Sequence, residues 1–117
     1  MAQFMHELSI VCGICELLNK KVLEYGASKV VQVSIKAGEL AGIEEQTLRG
    51  CFEIVSQATP AEGAELVIER VPIKVRCRSC GNEYETGIPF SSCAVCANES
   101  IEIIQGNELY IESIAVE

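Results

Sequence analysis

Four of the seven cysteines fall in two Cys-x-x-Cys pairs, Cys77-Arg78-Ser79-Cys80 and Cys93-Ala94-Val95-Cys96, separated by twelve residues. Each pair can fold as a tight knuckle that aims two sulfurs at one point, and two knuckles complete a tetrahedron around one ion. Gly81, directly after Cys80, offers the permissive backbone that lets amides turn toward the sulfurs. Four thiolates with no imidazole suit Zn(II) in a closed structural site, and iron in a rubredoxin-like centre is the competing occupant. The plain alternative is two separate buried thiol pairs, which the specificity of the doubled motif disfavours. A closed site has no open coordination position. Its expected contribution is folding free energy for a segment too small to build a core.

A third pair, Cys12-Gly13-Ile14-Cys15, has the same spacing in a different setting. A redox-active pair sits where a strand runs into a helix N-terminus, whose dipole lowers the thiol pKa. This pair lies inside a helical pattern with no strand before it. Cys12 and Cys15, and Cys51 further on, therefore read as small apolar packing residues. His6 is the only histidine, next to Glu7 at the head of the same pattern. A histidine second from an amine can hold a metal through that amine, its imidazole and deprotonated backbone amides. The resulting fused planar rings suit Ni(II) or Cu(II). Met5-His6-Glu7 has that order, with Met1-Ala2-Gln3-Phe4 ahead of it.

The rest of the composition limits what such sites could serve. The chain has 117 residues, 49% hydrophobic and 22% charged, a globular composition with no room for a large multi-domain enzyme. Nine basic residues against seventeen acidic ones give −8, and every acid is Glu. All nine bases lie in residues 1–78, and residues 79–117 carry seven Glu and no base. Phosphate backbones and anionic membranes should repel such a chain. The N-terminal stretch lacks the pattern of a signal peptide, and no apolar run approaches the roughly 18 residues of a membrane span. An odd cysteine count in two-residue spacings suits a reducing compartment, so a cytoplasmic location is expected.

Elements must position these residues. Leu8, Val11, Cys15, Leu18 and Val22 recur at spacings of three and four and predict a helix over 5–25, ended by Gly26. Val31, Val33, Ile35 and Ala37 alternate with polar residues and predict a strand over 29–37. Leu48, Cys51, Phe52 and Val55 mark a second helix over 44–57, and 64–71 reads as a strand closed by Pro72. Two further strands are expected at 101–104 and 109–116, the last returning to pair with the first lobe. The fold class is α+β: two helices on a small antiparallel sheet, with an inserted four-cysteine zinc-ribbon-like lobe. Residues 1–72 with 101–117 form the first lobe in this reading, and 73–100 the metal-bound one.

Taken together, these residues resemble the HypA/HybF family of hydrogenase maturation nickel metallochaperones. The likeness rests on Met5-His6-Glu7-Leu8-Ser9, Ile35-Lys36-Ala37-Gly38-Glu39-Leu40, Cys51-Phe52 and Glu62-Gly63-Ala64-Glu65-Leu66. The run around Cys77 and Cys80 and the Cys93/Cys96 pair complete it, over about residues 5–117. The resemblance implies no enzyme activity but capture of Ni(II) and its delivery to the immature large subunit of [NiFe]-hydrogenase. It implies a HypB-type GTPase as partner, and in some relatives urease and its accessory proteins; a homo-oligomer is compatible with it. Carried over, His6 is the nickel ligand, with the backbone nitrogens of His6 and Glu7 and the amine at Met5. Cys77, Cys80, Cys93 and Cys96 hold structural Zn(II).

Two other classes compete. Arg70, Lys74, Arg76 and Arg78 crowd beside the first knuckle, which would suit a nucleic acid or an acidic protein, although the net charge opposes nucleic acid. Iron at the four cysteines would make a redox protein, identifiable by its visible colour. No nucleophile–base pair or Gly-rich phosphate loop is present to support catalysis.

Overall fold

The computed structural model describes residues 2–87 and 92–117, with the backbone alone for residues 2–5. In chain order the elements are α1 (Ala2–Glu24), β1 (Val30–Gly38), a 3₁₀ turn (Glu39–Ala41), α2 (Glu45–Val55) and β2 (Glu65–Val71). There follow β3 (Lys74–Cys77), β4 (Glu83–Glu85), β5 (Ile101–Gln105) and β6 (Leu109–Val116). Two three-stranded sheets form, in the orders β2-β1-β6 and β4-β3-β5. The chain divides into two compact units, residues 1–35, 43–69 and 110–117 in one, and 36–42 and 70–109 in the other.

In the first unit α1 packs on α2. The helical stripe expected from sequence is the buried one: Val11, Cys15, Leu18 and Val22 are almost fully enclosed, with Ile14 widening it. α2 contributes Leu48, Cys51 and Phe52, and the strands Val30, Val33, Ile35 and Leu66. Each such aliphatic or aromatic side chain stabilises the unit by about 1.5–3 kcal/mol when buried. Two hydrogen bonds close α1 at Gly26, from Gly26 N–H to Leu23 C=O (3.3 Å) and from Ala27 N–H to Val22 C=O (3.0 Å). One detail of β1 differs from the expected alternation. Val30 is buried and Val31 exposed, and at this start of the strand Val30 N–H donates to Pro60 C=O (2.9 Å).

The strand at 109–116 does return to the first sheet, where it flanks β1. Lys29 and Glu117 exchange N–H···O=C bonds (3.1 and 2.9 Å), and Gly38 N–H donates to Glu108 C=O (2.7 Å), so the two strands run antiparallel. On the other side the starts of β1 and β2 lie together, where the Gln32 side chain donates to Glu65. That is the arrangement a crossover through α2 produces.

The second sheet carries the cysteines. β3 is central and antiparallel to both neighbours, with Val75 opposite Tyr84 on one side and Ile103 on the other. β5 therefore belongs with this sheet, which divides the 101–117 stretch that the sequence reading gave to the first lobe. Val75 and Ile73 are buried beneath it, and Gly38 abuts Gly106 so closely that a Cβ at 38 would stand 1.9 Å from the Gly106 carbonyl oxygen. Only glycine fits there.

Candidate metal centres

β3 delivers Cys77 at its last residue, and the chain turns at once through Cys80-Gly81-Asn82 into β4. Gly81 N–H donates to Cys77 C=O (2.8 Å) and Cys77 N–H to Asn82 C=O (2.9 Å), with Gly81 at φ +79°. The second knuckle repeats this bond for bond. Ala97 N–H donates to Cys93 C=O (2.9 Å) and Cys93 N–H to Asn98 C=O (2.8 Å), and Ala97 occupies the left-handed region at φ +60°. Both turns read Cys-x-x-Cys-small-Asn, a local repeat that supplies two sulfurs each.

The four sulfurs converge. Cys77 Sγ lies 3.5 Å from Cys96 Sγ and Cys80 Sγ 3.7 Å from Cys93 Sγ, and all four sit within 4.8 Å of one another. Four ligands at the usual zinc–thiolate length of about 2.3 Å stand about 3.8 Å apart in a tetrahedron, so the separations fit one tetrahedral ion. Cys77 and Cys93 are buried, whereas Cys80 and Cys96 are exposed. The electrostatics follow the same division. Backbone N–H groups of Cys80 and Ser79 turned onto Cys77 pull its thiol down to about 6, and those of Cys96 and Val95 likewise lower Cys93. The Asn82 and Asn98 amides lower Cys80 and Cys96, but burial and the neighbouring thiols outweigh them and push Cys96 up to about 11. The backbone of each knuckle thus favours the thiolate at its first cysteine, and a bound dication would favour it at the second as well.

The basic residues beside the first knuckle are engaged across the sheet. Arg76 meets Glu83 on β4 (3.1 Å) and Glu102 on β5 (3.2 Å), Arg78 meets Glu102 (3.6 Å), and Lys74 approaches Glu83 (3.9 Å). Glutamates on both neighbouring strands thus pair with Lys74, Arg76 and Arg78, three of the four bases that could have suited a nucleic acid.

His6 stands outside this cluster. Among the described residues the four cysteines are the one group of three or more potential ligands brought together. The His6 side chain is 47% exposed on α1, with Nδ1 3.8 Å from Glu7 Oε1. Because α1 begins at Ala2, the N–H groups of His6 and Glu7 belong to its hydrogen-bond ladder. The Met5 backbone lies in the same turn, and its side chain lies outside the described residues. Cys15 and Cys51 are buried, their thiols raised above the ordinary value by burial first, then by Cys12 and, for Cys51, by Glu7 and Cys12. Both are packing residues, as expected. Cys12 is exposed instead, one position off the buried stripe.

One residue carries more than the sequence reading gave it. Glu7 was singled out for its backbone nitrogen, yet its side chain is completely buried and Oε2 accepts Glu44 N–H (2.6 Å) at the head of α2. The available signal was its spacing: Glu7 lies four residues before Val11, on the apolar stripe.

Comparison with known proteins agrees with this arrangement. Residues 5–116 match the family model described as "HypA: Hydrogenase/urease nickel incorporation, metallochaperone, hypA". A protein of Dehalococcoides mccartyi strain CBDB1 named hydrogenase maturation factor HypA is 42% identical over 113 residues, covering 97% of this chain and 95% of that one. The protein of the same name from Wolinella succinogenes is 40% identical over 114 residues, covering 97% and 96%. The fold is also that of a solution structure of a HypA protein (TM-score 0.74, 23% identity, 97% of each chain). A solution structure of the Ni metallochaperone HypA from Helicobacter pylori aligns with TM-score 0.65 at 21% identity, over 94% of this chain and 96% of that one.

Proposed function

This chain belongs to the HypA family of hydrogenase/urease nickel-incorporation metallochaperones, maturation factors rather than enzymes, and from that premise we propose that it captures Ni(II) at His6 and delivers it to the immature large subunit of [NiFe]-hydrogenase. The observation that carries this reading is the family match across residues 5–116, which takes in both His6 and the four cysteines. A HypB-type GTPase is the proposed partner in delivery, the cytoplasm the place, and urease maturation a second destination within the family description. The four cysteines hold Zn(II) as a structural ion. The sulfur separations and the two matched turns support that assignment, and the zinc supplies cross-linking of the two knuckles.

The described geometry constrains how nickel is taken. The exposed imidazole of His6 is available from the folded helix. The backbone nitrogens of His6 and Glu7 are not, since each would have to leave the helical ladder and lose its proton before binding a metal. Capture therefore begins at the imidazole, and a full planar chelate requires the first turns of α1 to open. Removal of residues 1–4 exposes the Met5 amine and should tighten binding toward a square-planar complex.

His6→Gln tests the reading. Nickel titration should show tight binding lost, with zinc still at one ion per chain and the far-UV spectrum unchanged. A His6→Gln protein that binds nickel as tightly as the parent removes His6 from the site.

A further inference from the structure

The two edge strands of the first sheet differ in how they meet solvent. β2 carries Glu65, Glu69 and Arg70, and Arg49 of α2 donates to its Leu66 C=O (2.5 Å). Charged side chains and a covering cation keep such an edge from pairing with a further strand. β6, at the opposite edge, has β1 on one side and, among the described residues, no strand on the other. Its eight residues include one charge, Glu112, and no proline. A long edge of that composition offers its outward main-chain donors and acceptors to another extended chain.

Beside this edge an open groove of about 280 Å³ runs between the C-terminal half of α1 and β6. Leu17 and Tyr25 line it from the helix, Ile111 and Ile114 from the strand. Leu17 is 37% exposed and Tyr25 68%, so the helix side is apolar surface left in water. Lys21, the one base in the groove, is already engaged. Its ammonium meets Glu24 (3.1 Å) and lies 5.9 Å from the centre of the Tyr25 ring.

We infer that β6 is a docking strand for an extended segment of another protein, which adds to the first sheet main chain to main chain and lays apolar side chains into the groove. Successive residues of an added strand point to opposite faces, so every second side chain can reach Leu17 and Tyr25 while the others face away. Charge selects the segment. Residues 110–117 carry Glu112 and Glu117 and no base, in a chain of net charge −8, so Lys or Arg at the alternate positions draws a segment to this edge. A second copy of this chain would instead set two acidic strands side by side. His6 takes no part in this surface, so strand docking and nickel binding are tested separately.

The probe is a displayed library of random peptides about ten residues long, the length of a strand, selected on the zinc-loaded chain. Enriched sequences should alternate apolar residues with polar ones, Lys and Arg prominent among the latter. The best of them, titrated into ¹⁵N-labelled protein, should shift the amides of residues 110–116 and of Leu17, Lys21 and Tyr25, and slow amide exchange along β6. Leu17→Gln, at an exposed helix position, should keep the fold and weaken the peptide about tenfold. Two versions of the peptide, methylated at alternate sets of backbone nitrogens, separate strand pairing from apolar contact alone. One should lose binding and the other keep it, because only one edge of an added strand faces β6. Equal binding of the two versions, enriched peptides that map elsewhere, or no enrichment over a blank surface overturns the assignment. So does self-association of the protein alone, seen by sedimentation, that protects residues 110–116 from exchange.

Discussion

In the second unit four thiols arrive from two turns of nearly identical construction, and the hydrogen bonds that the two turns share are local. At the start of α1, by contrast, one imidazole stands on a helix surface, and the groups that would complete its chelate are already committed to the helix. The first arrangement is a preorganised cage, which would suit keeping an ion. The second, on the proposed reading of His6, is an incomplete one, which would suit giving an ion up. Retention follows from preorganised donors and release from donors that must be recruited against the fold.

The largest expected effect attacks the finished cage. Cys77→Ala leaves three thiolates, and a structural zinc site can carry about 10 kcal/mol of folding free energy. Zinc content should fall well below one per chain, and amide exchange across β3, β4 and β5 should approach that of unstructured peptide, while α1 and α2 keep their protection. Unchanged protection in those three strands would show that the sheet stands without its ion.

A milder break concerns the other cysteine pair. Cys12→Ser with Cys15→Ser should lower stability to urea by about 1–3 kcal/mol, nearly all of it from placing a hydroxyl at buried position 15. Zinc and nickel stoichiometry should stay as in the parent. Loss of either ion would make the pair a ligand and erase the contrast between its spacing and its setting.

The two knuckles can be compared directly by exchanging their corner residues. Ala97 holds a left-handed conformation that costs an L-residue about 1 kcal/mol, whereas Gly81 holds its equivalent without that cost. Ala97→Gly should raise the midpoint of chelator-induced unfolding slightly, the relief being partly offset by a freer unfolded chain. Gly81→Ala should lower it. Equal responses in sign would mean that the turns are not equivalent.

The smallest effect lies at the head of α2. The Thr47 hydroxyl, then its N–H, holds Glu44 below its ordinary 4.5. A depressed carboxyl stabilises the fold above its unfolded value, and that stabilisation disappears as pH falls through the lower folded value. Glu44→Gln should therefore be slightly less stable than the parent at pH 7, and the two should converge in acid once the Glu44 carboxyl is protonated in the folded state as well. A gap that stays constant across the whole acid range would place the effect in packing rather than charge.

Much of this was legible in the residues themselves. The stripes of α1 and α2, the closing strand β6 and the cysteine cluster follow from spacings that local geometry enforces, because 3.6- and 2-residue periods and tight turns need no knowledge of the rest of the chain. The placement of β5 and the burial of Glu7 lay outside that reach for a common cause. Ile101–Gln105 could pair with either sheet on its pattern, and register against β3 decides it. The sequence marks Glu7 only as the neighbour of His6, and the arrival of Glu44, 37 residues later, makes its burial tolerable. Exposed Cys12 and Val31 are smaller instances, in which a residue type compatible with the core lies just off the enclosed stripe.

The unequal enclosure of the four sulfurs gives the cluster a front and a back. A competing chelator in solution meets Cys80 and Cys96 first, one sulfur from each turn, while Cys77 and Cys93 stay sheltered. An ion stripped of its two front bonds would still bridge both turns through the two rear ones, so the lobe stays pinned until the last step of exchange. Metal loss should therefore be slow at first and abrupt at the end, with half-stripped chains retaining their shape and recapturing the ion when the competitor departs.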